Sequence, residues 1–149
     1  MDYTGHTNAR ALARLFSALA CGGALPGGDE AGSRVAKPET VTLMTTERAQ
    51  LWGNGYGLGL VLGKGAEGGA TVPGQPAGTF GHGGLGGHLS MGRASDGLGF
   101  GYTCNLQVGV DQPGKALQVS TTMHAFSNLW QCHNMYRGRC RLHFSRITL

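Results

Sequence analysis

The sequence predicts an α+β domain built from an antiparallel sheet flanked by helices. Three observations carry this expectation. One amphipathic helical period lies near the start, three segments alternate with a period of two, and a short Ser95-Asp96-Gly97 turn separates the last two of those segments. A chain of 149 residues with 40% apolar content is long enough to bury a core of its own. Its 28 glycines stand far above the usual share of about 7%. Glycine and proline together still fall short of the roughly 25 to 30% that marks low-complexity disorder, and no G-X-Y period exists.

The first element is a helix over residues 8–21. Thr7 can cap it, Leu12, Leu15, Phe16 and Leu19 recur at spacings of three and four, and Gly22-Gly23 stop it. These four apolar side chains are expected against the sheet. Arg10 and Arg14 lie one turn apart on another face, where solvated charge is the plainer reading than ligand binding. Residues 22–34 read as a surface loop, and a shorter helix is expected from Pro38, a residue suited to a first helical position, to about Met44.

Strands are expected near 56–62, 88–92 and 98–104, the last two forming an antiparallel hairpin. Alternate glycines strip the side chains from one face of two of them. Since glycine weakens a strand interior, something must pack closely on that face, either a helix or a bound group.

Charge divides the chain. Residues 1–110 hold seven basic and seven acidic side chains, whereas 111–149 hold five basic and one acidic and supply the whole net charge of +4. The expected organisation is therefore a domain over 1–110 and a divergent basic tail over 111–149. In the tail, Val119, Met123, Phe126 and Trp130 allow a helix within 116–134, and 137–149 is expected to be poorly ordered. The arginines are few and match no nucleic-acid motif, so nucleic acid is not expected as a partner. No apolar run approaches the roughly 20 residues of a membrane span. No signal peptide is visible at the start, and Cys21, Cys104, Cys132 and Cys140 lack C-x-x-C spacing. Reduced thiols and an intracellular setting are the expectation in place of a secreted disulfide scaffold.

The densest chemical feature is Phe80-Gly81-His82-Gly83-Gly84-Leu85-Gly86-Gly87-His88. It contains G-x-G-x-x-G formally, but no helical pattern follows and no acidic residue stands at the spacing a dinucleotide site requires. His82, flanked by glycines, can present its ring and nearby backbone N–H groups to a ligand; a surface or structural histidine is the plainer alternative. His88 could share a sheet face with His82, although a metal would need a third ligand that the sequence does not nominate. Cys132, His133, Cys140 and His143 match no standard zinc spacing. No cofactor and no metal is expected.

Five segments, in order, resemble the C-terminal part of the beta-lactamase-related serine hydrolases, a family that includes class C beta-lactamases, DD-peptidases and esterases. They are Thr7 to Leu15, Lys37 to Val41, Trp52 to Gly59, Phe80 to Gly87, and Leu98 to Asn105, within roughly residues 4–107. The resemblance implies a partial serine beta-lactamase/penicillin-binding-protein-like fold. It places His82, Gly83 and Gly84 at the family's third active-site motif, on a strand beside the nucleophile, with His82 orienting substrate and protons. It also makes the backbone N–H of Leu85 one of two oxyanion donors, a role worth about 3 to 4 kcal/mol in acyl transfer. Gly83 departs from the hydroxyl residue usual at its position, which shifts the expectation from beta-lactams towards the esterase-like branch.

A larger departure is the absence of S-x-x-K and Y-x-N anywhere in the chain, and no G-x-S-x-G elbow replaces them. The chain thus reads as a truncated member of the family, inactive alone, whose parent acts on a small ester or amide. The alternative is a noncatalytic binding or regulatory module that self-associates or pairs with a full-length relative through an open sheet edge.

Overall fold

The structure is a computed structural model that describes residues 5–25, 33–63, 77–84 and 88–103. Its first helix, α1, spans Ala9–Ala20. Asn8, not Thr7, caps it: Asn8 is extended, and its side-chain oxygen accepts the Ala11 N–H at 2.9 Å. The stop is as expected. Gly22 and Gly23 take φ of 67° and 94°, and the Gly23 N–H closes back on the Ala18 carbonyl at 2.7 Å. A side chain at Gly23 would also overlap the Ala36 carbonyl. The second helix, α2, spans Pro38–Thr45, with Pro38 in the first turn, Glu39 beside the positive end of the helix dipole, and Val41 as its buried residue.

Among the described residues six strands follow: β1 (Ala49–Leu51), β2 (Asn54–Tyr56), β3 (Val61–Leu62), β4 (Thr79–Gly83), β5 (Leu89–Arg93) and β6 (Leu98–Tyr102). They form one antiparallel meander in chain order. The α+β expectation and the final hairpin are borne out. The single strand expected over 56–62 is not, because Gly57 donates to the Leu60 carbonyl at 2.9 Å and Gly59 takes φ of 79°, reversing the chain. Its alternation belongs to the ends of two strands and the turn between them. The periodicity does not mark β1 at all.

Helix α1 lies across β5 and β6 on the face that carries Gly92, Gly99 and Gly101. A Cβ at Gly99 would stand 2.6 Å from the Ser17 Cβ and overlap the Ala13 carbonyl; one at Gly101 would stand 2.8 Å from the Leu12 Cβ. The bare glycine face therefore receives a helix, in backbone contact. This changes which arc of α1 is buried. Ala13, Phe16, Ser17 and Ala20 are buried, whereas Leu12 is half-buried and Leu15 is 42% exposed. The expected burial of Phe16 and Leu19 is borne out and that of Leu15 is corrected: Leu15 is exposed, whereas the half-buried Leu12 sets its Cβ against Gly101, and the small Ala13 and Ser17 permit the close approach at Gly99. Ser17 is fully buried and its hydroxyl donates to the Gly97 carbonyl at 2.8 Å, pinning helix to hairpin.

The main core lies on the helix side and joins Phe16, Leu19, Ala20, Val41, Leu60 and Phe80, with the Phe16 and Phe80 rings stacked 6.3 Å apart. Leu89 and Met91, with Phe100 and Tyr102, form a second cluster on the opposite face. At the β5–β6 turn the nearly buried Arg93 grips Asp96 with two bonds of 3.0 and 2.6 Å.

Cys21 is disulfide-bonded, which corrects the expectation of a reduced thiol at that position. The division near residue 110, the tail over 111–149 and the segments 116–134 and 137–149 all lie outside the described residues. No helix among the described residues is long and apolar enough to cross a membrane.

Candidate functional site

Of the residues expected at the third motif, His82 and Gly83 sit on β4, an interior strand with β3 on one side and β5 on the other, and Gly84 follows it. The neighbouring Gly81 explains how tightly this strand is seated: a Cβ there would stand 2.8 Å from the Met91 Cα and 3.0 Å from its Cγ. From that anchored position the strand runs out to His82, which is exposed, and to Gly83 and Gly84 at its end. The backbone is fixed by its ladder, and the imidazole is free of flanking side chains on its own strand.

The ring is oriented by a local bond. His82 Nδ1 lies 2.5 Å from the Gly83 carbonyl oxygen. A carbonyl only accepts, so Nδ1 carries the proton and donates, which leaves the lone pair of a neutral ring on Nε2, directed away from the strand. A histidine held in this way can take a proton from, or return one to, a group that approaches from solvent.

The antiparallel register sets His82 opposite Ser90 and Gly83 opposite Leu89, and the Gly84 N–H donates to the His88 carbonyl at 2.8 Å. His82 and His88 therefore lie diagonally across a hairpin, not along one continuous strand. Opposite residues share a face, and so do residues two apart. His82, Gly84, His88 and Ser90 thus stand on one face, with Gly101 of β6 next to Ser90. Ser90 escapes a reading of the sequence alone. The signal that could have found it is the hairpin itself, which turns a glycine-rich run flanked by His82 and His88 into two paired strands.

Leu85, expected as the oxyanion donor, lies outside the described residues. Among the described residues no group of three or more His, Cys, Asp or Glu side chains could hold a metal ion.

No protein-family model matches the chain, and no curated protein matches it. Among solved structures it is similar to the crystal structure of a family VIII carboxylesterase, with a TM-score of 0.60 and 26% sequence identity over 80% of this chain. The chain spans 31% of the length of that carboxylesterase. The likeness supports a beta-lactamase-like hydrolase fold on the esterase side of the expected family, and nothing in it is particular to class C beta-lactamases or DD-peptidases.

Proposed function

We propose that this chain carries the strand side of an acyl-transfer site of the beta-lactamase-related serine hydrolase type, in its esterase-like branch, and that it does not turn over substrate alone. The observation that supports this reading is an exposed His82, held by the Gly83 carbonyl at the end of interior strand β4, in a chain structurally similar to a carboxylesterase. In such a reaction a serine hydroxyl attacks the carbonyl of a small ester or amide, the ester C–O or amide C–N bond breaks and the protonated alcohol or amine departs to leave an acyl-enzyme, and water then hydrolyses it to release the acid. His82 supplies the group that orients substrate and moves a proton through Nε2, and the N–H of Leu85 stabilises the developing oxyanion. Gly83 offers no hydroxyl to a substrate carboxylate, so a simple ester is the favoured substrate class over a beta-lactam. The serine and lysine of the first motif and the tyrosine of the second are missing from the sequence, and a covalent mechanism has no substitute for its nucleophile.

The test is direct. The purified chain is offered a short-chain nitrophenyl ester and a chromogenic cephalosporin, and neither is hydrolysed above background. Saturable turnover that His82→Ala abolishes would show a complete site in this chain and overturn the proposal; turnover that survives that change would place a site elsewhere.

A second reading rests on β1. No described strand pairs with its outer edge, and Ala49, Gln50 and Leu51 are all exposed. Such an edge is a template for another chain, so a noncatalytic module would be found as a defined complex by light scattering, and a monomer would dismiss it.

A further inference from the structure

The β4–β5 hairpin places two imidazoles on one face with a bare position between them. His88 stands opposite Gly84, where an added Cβ would meet the His88 Cβ at 3.2 Å and its Cδ2 at 3.7 Å. The His88 side chain packs over Gly84, and because glycine has no side chain none from that position stands between the His88 ring and His82 two residues back. Diagonal cross-strand positions of this kind lie about 7 to 8 Å apart, within reach of long side chains. With metal–nitrogen bonds of about 2.0 to 2.1 Å, two imidazoles spanning that gap can converge on one ion.

The orientation of His82 is the second observation. Metal-ligating histidines commonly donate their other ring N–H to a backbone carbonyl or carboxylate, which fixes the tautomer and turns the free nitrogen to the metal. His82 already has this arrangement, with Nδ1 bonded to the Gly83 carbonyl and Nε2 outward. His88 is half-buried, so its ring is restrained by its surroundings, and each imidazole has a second nitrogen when the first is engaged.

We propose that His82 and His88 form a two-imidazole site for a divalent transition ion of the zinc and nickel class, with water in the remaining positions. Imidazole is a good ligand for such ions, whereas magnesium and calcium prefer oxygen, so the site discriminates against the latter pair. The inference does not depend on the acyl-transfer reading. If both hold, an ion on His82 Nε2 withdraws that nitrogen from proton transfer, and the metal acts as a reversible inhibitor wherever the nucleophile side of the site is supplied.

The experiment titrates the full chain with paramagnetic nickel near neutral pH and follows the histidine ring Cε1–H signals, assigned through single variants. The His82 and His88 signals are expected to broaden together, ahead of those of His6, His124, His133 and His143, and magnesium should leave all of them unchanged. In His82→Ala, whose exposed side chain can be removed without loss of packing, the nickel concentration needed to broaden His88 should rise roughly tenfold or more, since loss of a ligand costs at least as much as the roughly 10- to 100-fold that loss of an outer-shell partner costs. His88→Gln should do the same to His82. Unchanged His88 broadening in His82→Ala, or earlier broadening at any of the four other histidines, would overturn the proposal.

Discussion

Gly99→Ala tests the contact that organises the whole fold. The added methyl would stand 2.6 Å from the Ser17 Cβ and press on the Ala13 carbonyl and the Ser17 backbone nitrogen. Two of these three neighbours are helix backbone, so no rotamer change can relieve the overlap and α1 must move as a body. Overpacking of this kind costs about 1 to 3 kcal/mol. A displaced α1 also stretches the buried bond from the Ser17 hydroxyl to the Gly97 carbonyl, 2.8 Å long, and an unsatisfied buried carbonyl adds about 1 to 3 kcal/mol if the bond is lost. Against this, alanine restricts the unfolded chain and returns about 0.4 to 1 kcal/mol. The net expectation is a loss of about 2 to 4 kcal/mol, read by urea denaturation followed by far-UV circular dichroism. Gly5→Ala is the matched control, because nothing lies within 4 Å of its added methyl, and it should change stability by no more than about 0.5 kcal/mol. If Gly99→Ala proved as harmless as Gly5→Ala, α1 would not rest on the glycine face and the packing account would fail.

Other expectations concern the ends of the same elements. Arg93→Met leaves Asp96 without the guanidinium that holds it at the β5–β6 turn, and breaking so nearly buried a pair should cost about 3 to 5 kcal/mol by the same denaturation assay. Asn8→Ala removes the cap on the Ala11 N–H and should cost about 1 kcal/mol, whereas Thr7→Ala should leave the denaturation midpoint unchanged.

Much of this architecture is legible in the residues themselves. The Gly22-Gly23 stop, Pro38 at the start of α2 and the Ser95-Asp96-Gly97 turn each act through backbone restrictions that travel with the residue. The glycine alternation in β6 correctly signals a close neighbour on one face. What it conceals is that so close a helix also buries its small residues Ala13 and Ser17, while of the expected apolar stripe Phe16 and Leu19 are buried, Leu12 is half-buried and Leu15 is exposed. Segment 56–62 misleads for a related reason, since glycine serves both strand and turn, and only the bond from Gly57 to Leu60 decides between them. Strand β4 has no apolar alternation, and its place is implied by family resemblance instead of by pattern. The site is legible as a histidine among glycines. His88 is legible as a companion on the same face, but that it and Ser90 lie across a hairpin from His82 is not, because cross-strand register depends on where a glycine-rich run turns, and local spacing does not specify that.

The central claim is that β4 supplies a working strand side to an esterase site whose nucleophile comes from another segment. A chimaera tests it most directly: residues 5–103 replace the structurally matching portion of the family VIII carboxylesterase, and hydrolysis of a short-chain nitrophenyl ester is measured. The account predicts that the chimaera hydrolyses the ester and that His82→Ala in it lowers kcat by about a hundredfold or more, the scale of general acid–base assistance. A folded chimaera that is inactive, or one that is indifferent to His82→Ala, would contradict it.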